Sequence, residues 1–201
     1  MSEKRTVVFV DFDGTLYKGD SMVDFLFYTA GGLRSVLLFV PLIPSFIFSS
    51  DKAMVKSEWM RRVWKFWREE ELKDAAERFS FLLTKKCNQK VEHCIRNHIE
   101  QGHEIVILSA SLQLWLKPFT ERRGFKLIAT EEMFSEGVFA GFNVTKNIKG
   151  KMKLECARAF CDFTQTNTVA YGNEKSDLFL LNEVNQGIWV NGNTIYEINR
   201  S

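Results

Sequence analysis

The segment DFDGT places two carboxylates, Asp11 and Asp13, two positions apart directly after an apolar run. Side chains alternate along a strand, so both carboxylates can face one open site while Phe12 points the other way. Neighbouring like charges push their pKa values apart, so one carboxylate can ionise and attack while the other holds a proton. Gly14 permits a tight turn where a phosphate group has to approach. The pattern predicts nucleophilic and acid-base chemistry, and the alternative is an Asp- and Gly-rich turn that only ends a strand.

Further polar residues follow two later apolar runs. Ser109 ends the run from 105 to 108, Asn173 follows closely on the run from 168 to 171, and Asp177 comes four residues later. Carboxyl and carbonyl oxygens would converge here without a His or Cys cluster, which is the ligand set of a hard cation. The three histidines recur every five residues and so do not share one helical face, which argues against a metal site built from them.

The elements that must position these groups follow an α/β pattern. Short apolar runs, each ending in polar residues and separated by helical stretches, indicate a doubly wound parallel sheet whose carboxyl edge holds the chemistry. These runs cover residues 6–12, 105–108, 168–171 and 187–190. The stretch from 134 to 144 alternates around Glu136-Gly137, as a β-hairpin does.

More than ninety residues separate the first two strands, which is too many for an ordinary crossover. Their apolar periodicity is helical, so residues 18–92 are predicted to form a helical cap, with 1–17 and 93–201 forming the catalytic core. Within the cap, residues 36 to 48 are strongly apolar and include two prolines. This segment is too short to span a hydrocarbon core of about 30 Å. We expect it to be buried in the cap or, as the less favoured alternative, to contact a membrane surface.

Composition excludes several classes of protein. Lysine and arginine total 27 against 25 aspartate and glutamate, and a net charge of +2 gives no reason to expect a nucleic-acid partner. The four cysteines form no C-x-x-C pair, which argues against a zinc or redox motif of that type. The first apolar run is short and is followed at once by acidic residues, unlike a signal peptide, so we expect a cytoplasmic protein.

Four ordered motifs give the sequence a resemblance to a known family. VVFVDFDGT resembles the first motif of the haloacid dehalogenase-like superfamily, LSAS with Ser109 the second, a lysine around NIKGKMK the third, and YGNEKSD the fourth. Their joint occurrence in this order is stronger support than any one motif. The nearest resemblance is to the phosphoserine phosphatase-like subgroup, in which a helical cap follows the first motif.

The resemblance implies a role for each matched residue. Asp11 would attack phosphorus, and Asp13 would protonate the leaving oxygen and then activate water against the aspartyl-phosphate. Ser109 would hydrogen-bond a phosphoryl oxygen, helped by the amides of Ala110 and Ser111 if a helix starts there.

The resemblance also implies Mg²⁺ as the cofactor. The ion would be held by Asp11, by the backbone carbonyl of Asp13, and by Asn173 and Asp177 of the fourth motif. Asn173 stands where the family often has an aspartate. Because its amide oxygen is neutral, we expect weaker metal affinity rather than loss of the site.

The third motif offers more than one lysine. Lys153 fits a G-x-x-K-apolar spacing after Gly150, whereas Lys149 fits the phosphoserine phosphatase pattern. Lys153 is the favoured phosphate ligand, Lys149 the alternative, and Lys151 the third choice. Only one of them would reach the phosphate.

The expected function is Mg²⁺-dependent hydrolysis of a phosphomonoester through an aspartyl-phosphate, on a small phosphorylated metabolite such as phosphoserine. The alternative is a lipid phosphate such as phosphatidylglycerophosphate, because the apolar segment and the run WLKPFTERRGFKLIAT resemble a bacterial set that includes a phosphatidylglycerophosphatase. The expected partner is therefore a small phosphorylated substrate, and contact of the cap with a membrane surface or lipid is the alternative. A hydrolytic dehalogenase would not need Asp13 as an acid, and a catalytically weak binding module is the remaining rival.

Overall fold

A six-stranded sheet forms the centre of the protein, whose computed structural model describes residues 4 to 198. The strands, including those of a separate two-stranded hairpin, are β1 (Thr6–Val10), β2 (Glu104–Leu112), β3 (Lys126–Thr130), β4 (Glu132–Ser135), β5 (Val138–Phe142), β6 (Asn167–Gly172), β7 (Gln186–Asn191) and β8 (Thr194–Glu197). The order in the main sheet is β3-β2-β1-β6-β7-β8, and every pair is parallel except β7 with β8. The predicted α/β fold and its strands are confirmed, and β3 and β8 extend the sheet at its two edges.

Helices connect the strands and build the insertion after β1. They are α1 (Ser21–Ala30), α2 (Gly32–Phe39), α3 (Ile43–Phe48), α4 (Lys52–Val63), α5 (Glu69–Lys85), α6 (Gln89–Glu100), α7 (Gln113–Arg123), α8 (Lys151–Phe160) and α9 (Leu178–Leu181). Short 3₁₀ turns lie at Val40–Leu42, Val144–Lys146 and Lys175–Asp177.

Strand β1 lies in the middle of the sheet because its residues are apolar on both faces. The side chains from Val7 to Val10 are completely buried, as a central parallel strand covered by helices requires. Val10 pairs with Ile107 of β2 on one side and with Tyr171 of β6 on the other. The carboxyl ends of β1, β2 and β6 therefore meet at one edge of the sheet.

The insertion packs around an aromatic cluster. Phe25 of α1 lies 5.5 Å from Trp64, 5.1 Å from Phe79 of α5 and 5.3 Å from Trp115 of α7, measured between ring centroids. Since α7 follows β2, this cluster joins the inserted helices to the sheet domain. Burial of several aromatic rings in one cluster is a large stabilising contribution.

Two elements lie between the inserted helices and the sheet domain in their contacts or their position in the chain. Helix α6 runs without a break across the expected boundary between residues 92 and 93 and packs against β2, so we describe it with the sheet. The predicted hairpin is present as β4 and β5, with a turn at Glu136 and Gly137 in left-handed backbone conformation. It packs against the inserted helices, with Phe139 4.9 Å from Trp64.

The apolar segment from 36 to 48 forms α2, a 3₁₀ turn and α3. Pro41 and Pro44 lie in the first turns of the 3₁₀ turn and of α3, where a helix needs no amide hydrogen. The expectation that the segment is buried is wrong for its outward face. Val36, Leu37, Val40, Ile43, Ile47 and Phe48 are each at least 40% exposed.

No single helix among residues 4 to 198 is long and apolar enough to cross a membrane. Only when they are taken together do the helical segments Ser21–Ala30 and Gly32–Phe48 have the length and apolar composition of a membrane span, and they are bent by 114° relative to each other.

Candidate active site

Asp11 lies directly after β1 and is buried beneath the inserted helices. Its amide donates to the carbonyl of Tyr171 at 3.0 Å, which holds the residue beside the end of β6. One side-chain oxygen, Oδ1, accepts from Lys153 Nζ at 2.5 Å, and Oδ2 accepts from Thr15 Oγ1 at 3.1 Å. Burial raises the pKa of Asp11, and the positive charge of Lys153 opposes this effect. The favoured ionic form of Asp11 therefore depends on that lysine.

Lys153 extends from the first turn of α8 into the buried site. Its side chain is 5% exposed, and Nζ also donates to Asp177 Oδ1 at 2.7 Å. Burial alone lowers the pKa of Lys153, but the carboxylates of Asp11 and Asp177 outweigh burial and raise it. The lysine is therefore a fixed cation next to Asp11.

The other lysines of the third motif have other partners, although Lys149 also lines the cavity that contains Asp11. Lys149 pairs with Glu174 at 2.7 Å, with side-chain exposures of 52% and 54%. Lys151 lies over the ring of Phe179 at 5.7 Å. Of the three candidates, only Lys153 contacts Asp11.

Asp13 is fixed by residues that the sequence did not single out for this role. Ser111 Oγ donates to Asp13 Oδ2, and the amide of Ser21 donates to Oδ1 at 2.6 Å. Trp115 Nε1 donates to Ser21 Oγ at 2.9 Å and so holds the start of α1 in place. Residues two apart on a strand share a face, and Ser111 follows Ser109 by two, so this contact could have been predicted.

The pKa of Asp13 is suited to carrying a proton near neutral pH. Burial is the main cause that raises it to about 7, with a smaller contribution from the charge of Asp20. The hydrogen bonds from Ser111 and Ser21 lower it. A carboxyl group with a pKa near the working pH can donate a proton and later accept one.

Ser109 is buried and lines the same cavity as Asp11. Strand β2 continues to Leu112 through a register shift, and α7 begins only at Gln113. No helix therefore starts at Ser109, as would be needed for the amides of Ala110 and Ser111 to form a helix N-terminus that binds phosphate. The amide of Ser111 donates to Ser109 Oγ at 3.1 Å, so that amide is already engaged, while Ala110 lines the cavity.

Several oxygen atoms converge around the side chain of Asn173. In the orientation that satisfies its hydrogen bonds, the amide nitrogen lies 3.1 Å from Asp11 Oδ2, 3.1 Å from the carbonyl oxygen of Asp13 and 2.9 Å from Thr15 Oγ1. Carboxylate and carbonyl oxygens that share one point suit a hard cation, and rotation of the amide would add the Asn173 oxygen. Within residues 4 to 198, no three His, Cys, Asp or Glu side chains are grouped to hold a metal, so such a site depends on backbone and amide oxygens.

Gly14 makes this convergence possible. Its φ is +77°, and a Cβ there would lie 2.2 Å from the side-chain amide group of Asn173. A side chain would therefore be strained in the backbone and would also displace the amide.

Both oxygens of Asp177 have other partners. Oδ1 accepts from Lys153, while Oδ2 accepts from the amides of Asn173 at 3.0 Å and Glu174 at 2.9 Å. These contacts favour a positioning role for Asp177, which holds the lysine and the loop after β6, over direct ligation of a cation.

A cavity of about 190 Å³ joins these groups to the inserted helices. The sheet edge contributes Asp11, Asp13, Ser109 and Lys153 to its wall, and the insertion contributes Met22, Lys52, Lys56 and Met60. Lys56 pairs with Asp20 at 3.1 Å across this wall. The cavity has anionic and cationic groups at its base and apolar and cationic groups opposite.

Comparison with known proteins agrees with this geometry. The model of the family described as haloacid dehalogenase-like hydrolase matches residues 8–182, and the chain belongs to that family. The resemblance predicted from the four motifs is therefore confirmed at the level of the family. No curated protein matches the sequence.

Solved structures share the fold. A protein of unknown function from Bordetella pertussis Tohama I has a TM-score of 0.73 at 18% identity, with 90% of this chain and 88% of that chain covered. A phosphoserine phosphatase solved as a phospho-aspartyl intermediate analogue has a TM-score of 0.59 at 14% identity, covering 93% and 86%. Cytosolic 5'-nucleotidase IIIB bound to cytidine also has a TM-score of 0.59 at 14% identity, covering 92% and 71%. At these identities the likeness concerns the fold.

Proposed function

We propose that this chain is an Mg²⁺-dependent phosphomonoester hydrolase that works through an aspartyl-phosphate on Asp11. The observation that carries the proposal is the placement of two carboxyl groups with different partners at the end of β1. Asp11 contacts the Lys153 cation, which partly offsets the effect of burial and leaves its pKa raised to about 6, whereas Asp13 is held by Ser111 and Ser21 and its pKa is raised to about 7. A nucleophile and a proton donor are needed together in phosphoryl transfer from a monoester.

The reaction follows from these positions. A carboxylate oxygen of Asp11 attacks phosphorus while the bond to the leaving oxygen breaks, and Asp13 gives its proton to that oxygen. Asp13 then takes a proton from water, and the water oxygen attacks the aspartyl-phosphate. This second step releases inorganic phosphate and restores both carboxyl groups. Lys153 and Ser109, with the amide of Ala110, bind the phosphoryl oxygens throughout.

The cation has a defined place in this proposal. Asp11, the carbonyl of Asp13 and Asn173 would hold Mg²⁺, which neutralises charge on the phosphoryl group when bound. Asp177 keeps Lys153 and the Asn173 loop in position. Because Asn173 replaces a charged ligand with a neutral one, Mg²⁺ affinity is expected to be modest.

The proposed substrate is a small phosphorylated molecule. The cavity of about 190 Å³ suits a compact molecule such as phosphoserine. A second candidate, a lipid phosphate such as phosphatidylglycerophosphate, is favoured by the exposed apolar side chains of α2 and α3, because Lys52 next to α3 also lines the cavity.

Two rival functions are less well supported. A dehalogenase needs a nucleophilic aspartate but no proton donor. That function would not explain why hydrogen bonds from Ser111 and Ser21 hold Asp13 in position. A binding module without catalysis gives no reason for a raised pKa at Asp13 beside a lysine-paired Asp11.

Hydrolysis of an aryl phosphate by the purified chain tests the proposal, with Mg²⁺ and then with a chelator. We expect activity that depends on Mg²⁺ and is lost in Asp11→Asn, whose neutral amide cannot attack phosphorus. A panel containing phosphoserine and short-chain lipid phosphates then separates the two substrate classes. Substantial hydrolysis by Asp11→Asn would contradict the mechanism.

A further inference from the structure

Helices α2 and α3, with the 3₁₀ turn between them, present an apolar face to the solvent, which we call the outer face. Its side chains are Leu33, Val36, Leu37, Val40, Ile43, Ile47 and Phe48, with exposures from 40% at Ile43 to 86% at Phe48. Their spacing of three or four residues, with the adjacent pairs Val36–Leu37 and Ile47–Phe48, places them along one side of the helices. An exposed surface helix of a water-soluble protein normally has polar residues on that side.

The opposite side of the same helices is packed against the protein. Phe39 lies 4.6 Å from Trp59 of α4 and 5.5 Å from Phe46, measured between ring centroids. Trp59 Nε1 donates to the carbonyl of Ser35 at 2.9 Å. The inner side is thus held in place, and the outer face stays exposed although the segment is apolar on both sides.

Charges at the outer face are positive. No acidic residue occurs between Asp24 and Asp51, and the only charged residue within α2 and α3 is Arg34, which is exposed. At the other end, Lys52 Nζ donates to the carbonyl of Phe46 at 2.5 Å and lies 4.5 Å from the centre of its ring. Asp51 is engaged as the cap of α4, where it accepts from the amide of Met54. A cation therefore lies at each end of an apolar strip.

We infer that the outer face binds the surface of an anionic lipid bilayer, with its helices lying in the plane of the interface. Even as one continuous helix, the segment would be about 25 Å long at 1.5 Å per residue, which is less than a hydrocarbon core of about 30 Å. Aliphatic and aromatic side chains fit the acyl boundary, and the cations at both ends fit anionic headgroups.

A bilayer fits this face better than a protein does. Protein interfaces contain about one hydrogen bond per 100–200 Å², whereas α2, α3 and the turn between them have one exposed polar uncharged side chain, Ser45. A second copy of this chain would also bring the same cations into the contact. Docking would place the cavity near the membrane surface, since Lys52 belongs to both. The inference does not depend on the proposed chemistry.

Sedimentation with vesicles tests it on the full chain. Vesicles of phosphatidylglycerol and phosphatidylcholine are compared with vesicles of phosphatidylcholine alone. The test variant is Leu37→Glu with Ile47→Glu, at positions 60% and 61% exposed, where substitution does not disturb the core. The matched control is Phe66→Glu, 78% exposed but beyond the far end of α4. Circular dichroism and a cooperative urea transition show that each variant is folded.

We expect the wild type and Phe66→Glu to sediment with the anionic vesicles and the double variant to lose at least about tenfold in partitioning, equivalent to about 1.4 kcal/mol. Neutral vesicles should bind the wild type more weakly. Equal binding by the double variant, or a wild type that stays in solution, would overturn the inference. A wild-type dimer that the double variant abolishes, without vesicle binding, would assign the face to a second copy instead. Vesicle binding needs no turnover. The chain can therefore hydrolyse phosphate esters without binding vesicles, or bind vesicles without hydrolysis, so the two proposals fail separately.

Discussion

Replacing Lys153 with methionine should damage both stability and catalysis, whereas the same change at Lys149 should damage neither. Lys153 is 5% exposed and contacts two buried carboxylates, Asp11 and Asp177. Removing one member of a buried ionic network leaves uncompensated charge and costs about 3–5 kcal/mol. Lys149 is 52% exposed in a pair with an exposed glutamate, and such a pair contributes about 0–1 kcal/mol.

The catalytic effect has the same origin. Lys153→Met removes the cation that lowers the pKa of Asp11, so a larger fraction of the nucleophile is protonated. It also removes a charged donor to the phosphoryl group, and losing one such donor lowers kcat by about 10²–10³-fold. Lys149→Met should leave kcat/KM within about threefold of wild type, because an exposed pair contributes so little.

Urea unfolding followed by tryptophan fluorescence gives the stability of each variant, and aryl phosphate hydrolysis gives kcat/KM. If Lys153→Met is too unstable to assay, Lys153→Met with Asp177→Asn removes one of the two orphaned charges and should recover part of the stability without recovering activity. The reasoning is refuted if Lys149→Met loses as much activity as Lys153→Met, or if Lys153→Met keeps wild-type activity.

Three further predictions concern the carboxylates and the cation. In urea unfolding at pH 8 with a chelator present, Asp13→Asn should be about 1–3 kcal/mol more stable than wild type. The pKa of Asp13 is raised to about 7 in the folded state, so the wild-type protein loses stability as the pH rises from about 4 to 7. The difference between the two proteins should vanish near pH 4. Asn173→Asp should lower the Mg²⁺ concentration needed for half-maximal activity, and an unchanged midpoint would remove this residue from the cation site. In the wild type, the hydrogen bond from Ser111 lowers the pKa of Asp13. Ser111→Ala removes this bond and should raise that pKa, so the alkaline limb of the pH profile of kcat/KM should move to higher pH. An unmoved limb would contradict the positioning role of Ser111.

Much of the sheet was predictable because its signal is local. A central strand is apolar on both faces, and the polar residues that follow it must lie at the sheet edge, so Asp11, Ser109 and Asn173 were expected together. The edge strands β3 and β8 are mixed in composition, with exposed residues such as Lys126 and Thr194. Their pairing depends on neighbours that a local pattern does not contain.

The rest of the site depends on distant contacts. The spacing favoured Lys153 over Lys149 but left both open, and only the packing of α8 shows that Lys153 is buried while Lys149 stays exposed. Likewise, the apolar composition of residues 36 to 48 indicates poor solubility in water but does not tell which side the rest of the chain covers. The structure covers one side with Trp59 and its neighbours and leaves the outer face exposed. The attachment of the hairpin to the inserted helices is also a long-range contact.

The central claim is that Asp11 carries the phosphoryl group during turnover. Borohydride reduces an acyl phosphate, so treating the chain during hydrolysis should convert a phosphorylated aspartate to homoserine, which peptide mass spectrometry locates. The account predicts homoserine at position 11, only when substrate and Mg²⁺ are present, and in larger amount in Asp13→Asn, where water is no longer activated. Turnover with no homoserine at position 11, or with homoserine at another aspartate, would contradict it.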